Sequence, residues 1–338
     1  MITIPESDLV VHELCLGSNI FGGNATEAES HLVMDAYRSH GGNFIDTADM
    51  YNQWVEGHVG GESEAIIGSW MKSRGNRAEM VIATKVSKMD RRPGLSAKNI
   101  FAACEESLNR LQTDYIDLYQ LHWPNRGVNV FGVRDFPTKT ASQEAENHLE
   151  IVETLHDFIK QGKIRQFGLS NETPWGTMKY VQTAAQHNLP RPVTIQNSYS
   201  LIHRGFEVGM SEVSMRENVG LLAYSPLAQG VLSGKYLGGN LPEGARGTLF
   251  PRFIARYRNE GSERAVGMYL EISKKHGLTL SELSLAFINQ LPFVTSNIIG
   301  ATKMDQLKEN INSIHTDLSD EILEEINAVH ALIPNPAP

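Results

Sequence analysis

The chain has 338 residues, of which 41% are hydrophobic and 20% are charged, and these proportions are typical of a globular protein. Its formal net charge of −9 argues against nucleic acid or an anionic membrane surface as a partner. No apolar run approaches the ~20 residues that a membrane span needs, and residues 1–17 lack the basic and apolar regions of a signal peptide. We therefore expect a cytoplasmic protein without membrane contact, in which Cys15 and Cys104 are buried, reduced thiols.

Short apolar segments rich in β-branched residues alternate along the chain with longer segments of helical periodicity. The first 17 residues predict two short strands around a turn. Eight strands then follow, at 13–18, 43–48, 80–85, 115–122, 164–170, 193–198, 220–225 and 295–300. Helices are predicted in every gap and after the last strand, near 26–40, 62–74, 96–110, 147–162, 174–188, 204–218, 262–291 and 303–315. A further amphipathic helix is expected at 319–333.

Strands that alternate with helices pair in parallel through crossover connections. Eight such units favour a (β/α)8 TIM barrel, here with an N-terminal β-hairpin and an extra C-terminal helix. An open, doubly wound sheet is the alternative, but it usually carries G-x-G-x-x-G after its first strand, and residues 16–24 (LGSNIFGGN) do not. With no linker visible, we expect a single domain over residues 1–338.

Three connections are longer than a barrel requires, at 50–61, 123–146 and 226–261, and each follows the carboxyl end of a predicted strand. In a barrel they would converge on one face and cover the site. Their aromatic residues are candidate walls of a substrate pocket, with packing inside the loops as the equally weighted alternative. These residues are Trp54, Trp123 and Phe131, together with Phe136 and Phe250.

Four ionisable side chains follow three successive strands at, or just beyond, their carboxyl ends. They are Asp46 and Tyr51 in FIDTADMY, Lys85 in VIATKV and His122 in LYQLHWP. Singly, Asp46 is explained by capping a strand end, Lys85 by reaching solvent, and His122 by packing in the core. Together they form an acid–base cluster, because a buried Lys85 needs Asp46 as a partner and its charge would lower the pKa of a nearby phenol. Such a phenol can give a proton to a carbonyl oxygen.

The motifs FIDTADMY, ATK and LHWP resemble those of the aldo-keto reductases, and the resemblance runs from about residue 2 to the C-terminus. Further matching motifs follow in order: GLSNET (168–173), TIQNSYSL (194–201), AYSPLAQGVLSGKY (223–236) and IIGATKMDQLKENI (298–311). Within the family, GFEVG (205–209) and GARGTLFPRF (244–253) resemble the Tas-like oxidoreductases. The resemblance implies that Tyr51 is the general acid in reduction, that Lys85, held by Asp46, lowers its pKa, and that His122 positions the carbonyl.

The resemblance also implies a nicotinamide dinucleotide across the same rim. Tyr224 would stack on the nicotinamide, Ser170, Asn171 and Gln196 would bind its carboxamide, and Gly17, Ser18, Asn19 and Asp46 would line the same end. The loop after strand 7 would hold the pyrophosphate through Ser225, Pro226, Leu227, Ala228, Gln229, Gly230, Ser233, Gly234 and Lys235. The segment after strand 8 would meet the adenosine and its 2′-phosphate through Gly300, Thr302, Lys303, Gln306, Glu309 and Asn310.

The expected cofactor is NADPH, with NADH less favoured. Many NADPH-specific relatives carry an arginine where Gln306 stands, and a glutamine cannot form a charged fork with phosphate. The predicted function is reduction of aldehydes or ketones by a monomer or homodimer. Two alternatives stay open: a cofactor-binding regulatory module like the β subunits of potassium channels, and a Schiff-base aldolase with Lys85 as nucleophile.

No metal site is predicted, because the twelve histidines show no H-x-x-x-H pairing and no C-x-x-C motif is present. Lys88, Arg91 and Arg92 follow strand 3 on the predicted active face. They are interpreted as solvated loop charges, with help in binding an anionic substrate as the alternative.

Overall fold

The computed structural model describes residues 1–129, 131–133, 135–138, 147–301 and 303–338. Eight parallel strands form a closed barrel, as the sequence predicts. The strands are Leu14–Gly17 (β1), Phe44–Asp46 (β2), Val81–Val86 (β3), Ile116–Leu121 (β4), Ile164–Ser170 (β5), Thr194–Ser198 (β6), Gly220–Tyr224 (β7) and Val294–Ile299 (β8). They pair in chain order, and β8 returns to β1 to close the barrel.

Helices occupy the gaps between the strands and continue past the last one. They are Glu27–Ser39 (α1), Glu62–Arg74 (α2), Ala97–Leu111 (α3), His148–Lys160 (α4), Pro174–His187 (α5), Met210–Glu217 (α6), the short Arg246–Leu249 (α7), Glu260–Lys275 (α8), Leu280–Asn289 (α9), Met304–Asn312 (α10) and Asp320–Leu332 (α11). The extra C-terminal helix, α11, is confirmed. Within these described ranges, no helix has both the length and the apolar character to cross a membrane.

The single helix predicted at 262–291 is wrong, because the structure has two helices there, α8 and α9. Gly277 lies between them with φ +69°, a conformation that glycine adopts without strain. Thr279 then caps α9: its side chain accepts from the backbone of Glu282, whose carboxylate accepts from the backbone of Thr279. This capping box starts a new helix and is visible in the sequence as T-x-x-E.

The N-terminal hairpin closes one mouth of the barrel. Ile2–Thr3 pairs antiparallel with Val10–Val11, as predicted. Its buried residues Ile4, Leu9 and Val11 pack into one cluster with interior-facing strand residues. Those strand residues are Cys15, Phe44, Val81, Ala83, Leu118, Leu222 and Ile298, and Val193, directly before β6, joins them. The barrel therefore has a packed floor, and its open end is at the strand carboxyl termini.

The predicted role of the charges after β3 needs correction. The chain forms a second small hairpin here, Lys88–Met89 with Arg92–Pro93. Arg91 and Arg92 both form ion pairs with Glu106 on α3; Arg92 is largely buried there and is not a solvated loop charge, whereas the side chain of Arg91 stays half-exposed, as predicted. Lys88 instead lies with its Nζ 4.5 Å from the ring centre of Trp123.

Candidate active site

A buried lysine organises the acid–base cluster at the carboxyl ends of β2 and β3. Lys85 Nζ donates to Asp46 Oδ2 at 2.6 Å, to the Thr47 carbonyl at 2.8 Å and to Tyr51 Oη at 2.8 Å. An ammonium group has three protons, so these three bonds use all of them. Lys85 is fully buried, and its burial is tolerated because Asp46 supplies an opposite charge.

Two amides, one on β4 and one on β6, hold Asp46 from its other side. Gln120 Nε2 donates to Asp46 Oδ1 at 3.0 Å, and Gln196 Nε2 donates to the same oxygen at 2.8 Å. Gln196 also donates to Gln120 Oε1 at 3.1 Å. Each oxygen of this buried carboxylate therefore has fixed donors, which orients the carboxylate toward Lys85.

The net pKa of Tyr51 is the reverse of the sequence-based expectation. Burial raises the pKa of the Tyr51 phenol to about 12, and Asp46 adds to that rise, while the nearby Lys85 acts in the opposite direction. Lys85 thus has the predicted influence, but desolvation outweighs it. Burial alone would lower the pKa of Lys85, yet Asp46 and Tyr51 outweigh it and hold that pKa above its ordinary value. At neutral pH the cluster holds a protonated phenol beside a protonated amine.

His122 stands beside the phenol as a neutral imidazole. Its ring centre is 6.0 Å from that of Tyr51, with an interplanar angle of 77°. Burial, and then the charges of Lys85 and Lys88, lower the pKa of His122 well below 6.5. Its Nδ1 is buried without a hydrogen-bond partner among the described residues. A neutral imidazole keeps one N–H to donate to a bound oxygen.

A cavity of about 1440 Å³ opens above this cluster, and most of the predicted ligand-binding residues line it. The predicted cofactor residues on its wall are Gly17, Asn19, Asp46, Ser170, Asn171, Gln196, Tyr224, Ser225, Pro226, Leu227, Gln229, Gly230, Ser233, Lys235, Gly300, Lys303, Gln306, Glu309 and Asn310. Trp54, Trp123 and Phe131 also line the cavity, whereas Phe136 and Phe250 do not.

Three predicted cofactor residues are not on the cavity wall: Ser18, Ala228 and Gly234. Ser18 is buried below it, with its hydroxyl donating to the Asp46 carbonyl at 2.8 Å and accepting from Ser63. The remaining predicted residue, Thr302, lies outside the described residues.

One end of the cavity carries cations close to one another. Burial lowers the pKa of Lys235, and the positive charge of Lys303 lowers it further. Lys235 belongs to the loop after β7, where Gly230 has φ +92° and a Cβ added there would stand 2.9 Å from Lys235 Nζ. The positive φ favours glycine at this position, whereas the flexible end of Lys235 could move away from a Cβ. An anion between the two lysines would relieve their repulsion.

The sequence-based prediction missed several charged and aromatic residues of the cavity, among them Arg246, Arg256, Phe253 and Tyr257. Arg246 Nε is buried without a partner, and Arg246 forms no ion pair within the described ranges. Its Cζ lies 4.6 Å from the ring centre of Phe253. Burial lowers the pKa of Arg246. All four residues lie in the long connection 226–261, whose position over the site was predicted but whose individual contacts carry no periodic signal.

Comparison with known proteins agrees with this geometry. The aldo/keto reductase family model matches residues 13–331. Protein tas of Escherichia coli (strain K12) is 47% identical, and the match covers 99% of each chain. The uncharacterized oxidoreductase YrpG of Bacillus subtilis (strain 168) is 32% identical over 96% of this chain and 94% of that protein. Norsolorinic acid reductase B of Dothistroma septosporum is 29% identical over 96% of this chain and 80% of that protein. The chain belongs to the aldo/keto reductase family of oxidoreductases.

Proposed function

We propose that this protein is an NADPH-dependent reductase of aldehydes or ketones, with Tyr51 as proton donor. The observation that carries the proposal is the hydrogen-bonded set of Lys85, Asp46 and Tyr51 at the base of a cavity large enough for a dinucleotide and a substrate. Family membership supports an oxidoreductase that uses a nicotinamide cofactor. The nicotinamide, when bound, supplies the hydride.

The chain supplies the proton and the orientation of the carbonyl. Tyr51, whose pKa is raised to about 12, keeps its proton at neutral pH and can release it only as negative charge develops on the bound oxygen. Lys85 would stabilise the phenolate formed at that moment, because its Nζ already lies 2.8 Å from Tyr51 Oη. His122 would donate a second hydrogen bond to the same oxygen. General acid catalysis of this kind contributes about 10²–10⁴-fold in rate.

The described residues fit a dinucleotide with a phosphorylated end. Tyr224 lines the cavity and donates to Asn171 Oδ1 at 2.6 Å, which fixes the ring as a platform for the nicotinamide. Lys235 and Arg246 lack carboxylate partners within the described ranges and would bind the pyrophosphate. Lys303 and Gln306 also line the cavity and would meet the adenosine 2′-phosphate. Of these cations, Lys303 is the one that would meet the 2′-phosphate, which NADH lacks, so Lys303 favours NADPH over NADH.

The Schiff-base alternative is disfavoured by the state of Lys85. A nucleophilic amine must be neutral, whereas the pKa of Lys85 is raised and all three of its protons are donated. A regulatory module would bind the cofactor in the same cavity as a reductase would. The two alternatives therefore differ only in whether the protein reduces a carbonyl substrate. Protein that binds NADPH but never oxidises it with any carbonyl would favour the regulatory module.

The test is the loss of absorbance at 340 nm from NADPH across a panel of aldehydes and ketones. We expect turnover by the wild-type protein, and a fall in kcat of about 10²–10⁴-fold in Tyr51→Phe, with NADPH binding kept. A mutant as active as the wild type would refute the role of Tyr51. Direct titration of both cofactors tests the preference, and a Kd for NADH equal to or below that for NADPH would refute it.

A further inference from the structure

A second cation with unused hydrogen-bond donors, Arg256, lines the same cavity. It lies in the 3₁₀ turn Ala255–Tyr257 and is half-buried. Its Nη2 donates to Ser198 Oγ at 3.1 Å and to the hydroxyl of the buried Tyr257. Its Nε and Nη1 have no acceptor, and no carboxylate lies within ion-pair distance, among the residues that the structure describes. Within the described ranges, Arg256 is therefore held by one edge of its guanidinium, and the other edge has no partner.

The guanidinium is framed by aromatic rings that reach the proposed nicotinamide platform. Arg256 Cζ lies 5.1 Å from the ring centre of Phe131. The Phe131 ring lies 5.3 Å from Trp123 and 6.4 Å from Tyr224, centre to centre. The positive charge of Arg256 also reaches Tyr224, because it acts to lower the pKa of that phenol against the larger effect of burial. Arg256 therefore stands at the substrate side of the cavity, one ring away from Tyr224.

A second run of rings leads from the proposed proton donor to the same segment. The Tyr51 ring lies 6.1 Å from Trp54, and Trp54 lies 5.9 Å from Phe253, centre to centre. Trp54 and Phe253 are candidate contacts for the body of an aromatic substrate, whereas Tyr51 would meet the reacting carbonyl. The cavity thus offers flat apolar surfaces between the acid–base cluster and Arg256.

The substrate side of the cavity carries positive charges, although the chain as a whole is acidic. The whole protein has a net charge of −9, yet Lys88 and Arg256 both line the cavity without an ion pair in the described ranges. The acidic residue nearest to Lys88 along the chain, Asp90, also lines the cavity and accepts from Gln53 at 3.2 Å.

A bound neutral molecule would remove water from the free edge of Arg256 and leave its donors unsatisfied, which costs free energy.

We propose that Arg256 binds a carboxylate on the substrate, so that the site takes aromatic aldehydes or ketones that carry a carboxylate. This inference rests on the proposed function, because it concerns the substrate of the same site. A guanidinium matches the geometry of a carboxylate through paired N–H donors, and one that is already fixed loses little entropy on binding. The aromatic rings would hold the body of the substrate while Arg256 fixes its anionic end.

The experiment compares matched pairs of substrates in Arg256→Gln, Arg256→Lys and wild-type protein. The pairs are 2-, 3- and 4-carboxybenzaldehyde against benzaldehyde and the corresponding methylbenzaldehydes, with NADPH saturating. We expect the wild type to prefer at least one carboxylated isomer. In Arg256→Gln, KM for that isomer should rise by roughly 10- to 100-fold, as loss of a charged hydrogen bond predicts, while KM for benzaldehyde changes less than about threefold. Arg256→Lys should recover part of the loss.

Arg258→Gln is the matched control, because it removes the same charge two residues away from an exposed position that does not line the cavity. It should leave both substrates unaffected. Equal losses for charged and neutral substrates in Arg256→Gln would show that Arg256 only supports the loop, and would overturn the inference. A wild-type protein that shows no preference for any carboxylated isomer would overturn it as well.

A binding measurement separates this inference from the proposed function. Benzoate is titrated against the protein with benzyl alcohol as the neutral control, and the fluorescence of Trp54 and Trp123, which line the cavity, reports occupancy. If no carbonyl is reduced but benzoate still binds and Arg256→Gln abolishes that binding, the proposed function fails and the anion site stands. If benzoate binds equally well to both proteins, or to neither, the inference fails.

Discussion

The clearest test of the electrostatics beneath the site is the replacement of Asp49, a buried carboxyl group that the proposed chemistry does not use. Asp49 is fully buried, and neither carboxyl oxygen has a hydrogen-bond partner among the described residues. Burial raises the pKa of Asp49 to about 7, and the neighbouring Glu64 adds to the rise, while Arg110 and Arg92 oppose it. The native protein therefore binds this proton more tightly than the unfolded chain does.

The size of the effect follows from that difference. An ordinary aspartate has a pKa of 3.8, and each pH unit between 3.8 and about 7 costs the native state about 1.4 kcal/mol. Protonated Asp49 contributes its full stabilisation below pH 3.8, the pKa of the group in the unfolded chain. The contribution falls as pH rises and is lost above about pH 7, the pKa of the group in the folded protein. The total is on the order of 4 kcal/mol, and above about pH 7 no further change from this residue is expected.

The assay is urea unfolding of the wild type and of Asp49→Asn between pH 5 and pH 8. Between pH 5 and pH 7 the unfolding free energy of the wild type should fall by about 2–3 kcal/mol relative to that of Asp49→Asn, because asparagine has no proton to lose. Asp114→Asn, which removes an exposed carboxylate, is the control and should follow the wild-type curve. Parallel pH profiles for the wild type and Asp49→Asn would refute the reasoning. The absolute stability of the mutant does not enter, since only the slopes are compared.

Three further substitutions test the cluster, the phosphate end and the packing. Lys85→Met should lower the unfolding free energy by about 3–5 kcal/mol, because it leaves Asp46 buried without its cation, and adding Asp46→Asn should restore part of the loss in urea unfolding. Gln306→Arg should lower the Kd for NADPH by about tenfold and leave that for NADH nearly unchanged in direct titration. Gly68→Ala should destabilise by about 1–3 kcal/mol, since its Cβ would stand 2.3 Å from the Arg110 carbonyl, whereas Gly267→Ala, with nothing within 4 Å, should stabilise by about 1 kcal/mol. Thermal unfolding that ranks the two glycine mutants in the reverse order would contradict this packing argument.

The barrel was predictable because each strand is a short apolar run and each helix shows apolar residues at helical spacing. The order of these elements along the chain then selects the fold. The boundary between α8 and α9 was missed because apolar residues continue across it at helical spacing. The local stop and start signals, Gly277 and the box of Thr279 with Glu282, decide the outcome there. Local capping thus overrides periodicity where the two conflict.

The charged residues of the site show where sequence reasoning ends. Arg92 and Arg256 both follow strands on the active face, and no sequence pattern separates them. Arg92 meets Glu106, which lies on α3, whereas Arg256 meets no carboxylate within the described residues. Whether a cation is paired depends on which helix packs behind its loop, and that is a property of the folded chain.

The paired and the unpaired groups of the cavity have different roles. Lys85 donates all three of its protons inside the protein, and both oxygens of Asp46 accept fixed donors, so the proton-transfer cluster is complete before any ligand binds. Among the described residues, Arg246 Nε is buried without an acceptor, which is costly, and Arg256 Nε and Nη1 have no acceptor on the cavity wall. Changes within the cluster should therefore alter folding stability together with chemistry. Changes at the two arginines should alter ligand binding while leaving the fold intact, since neither arginine pairs with a carboxylate in the part of the chain that the structure describes.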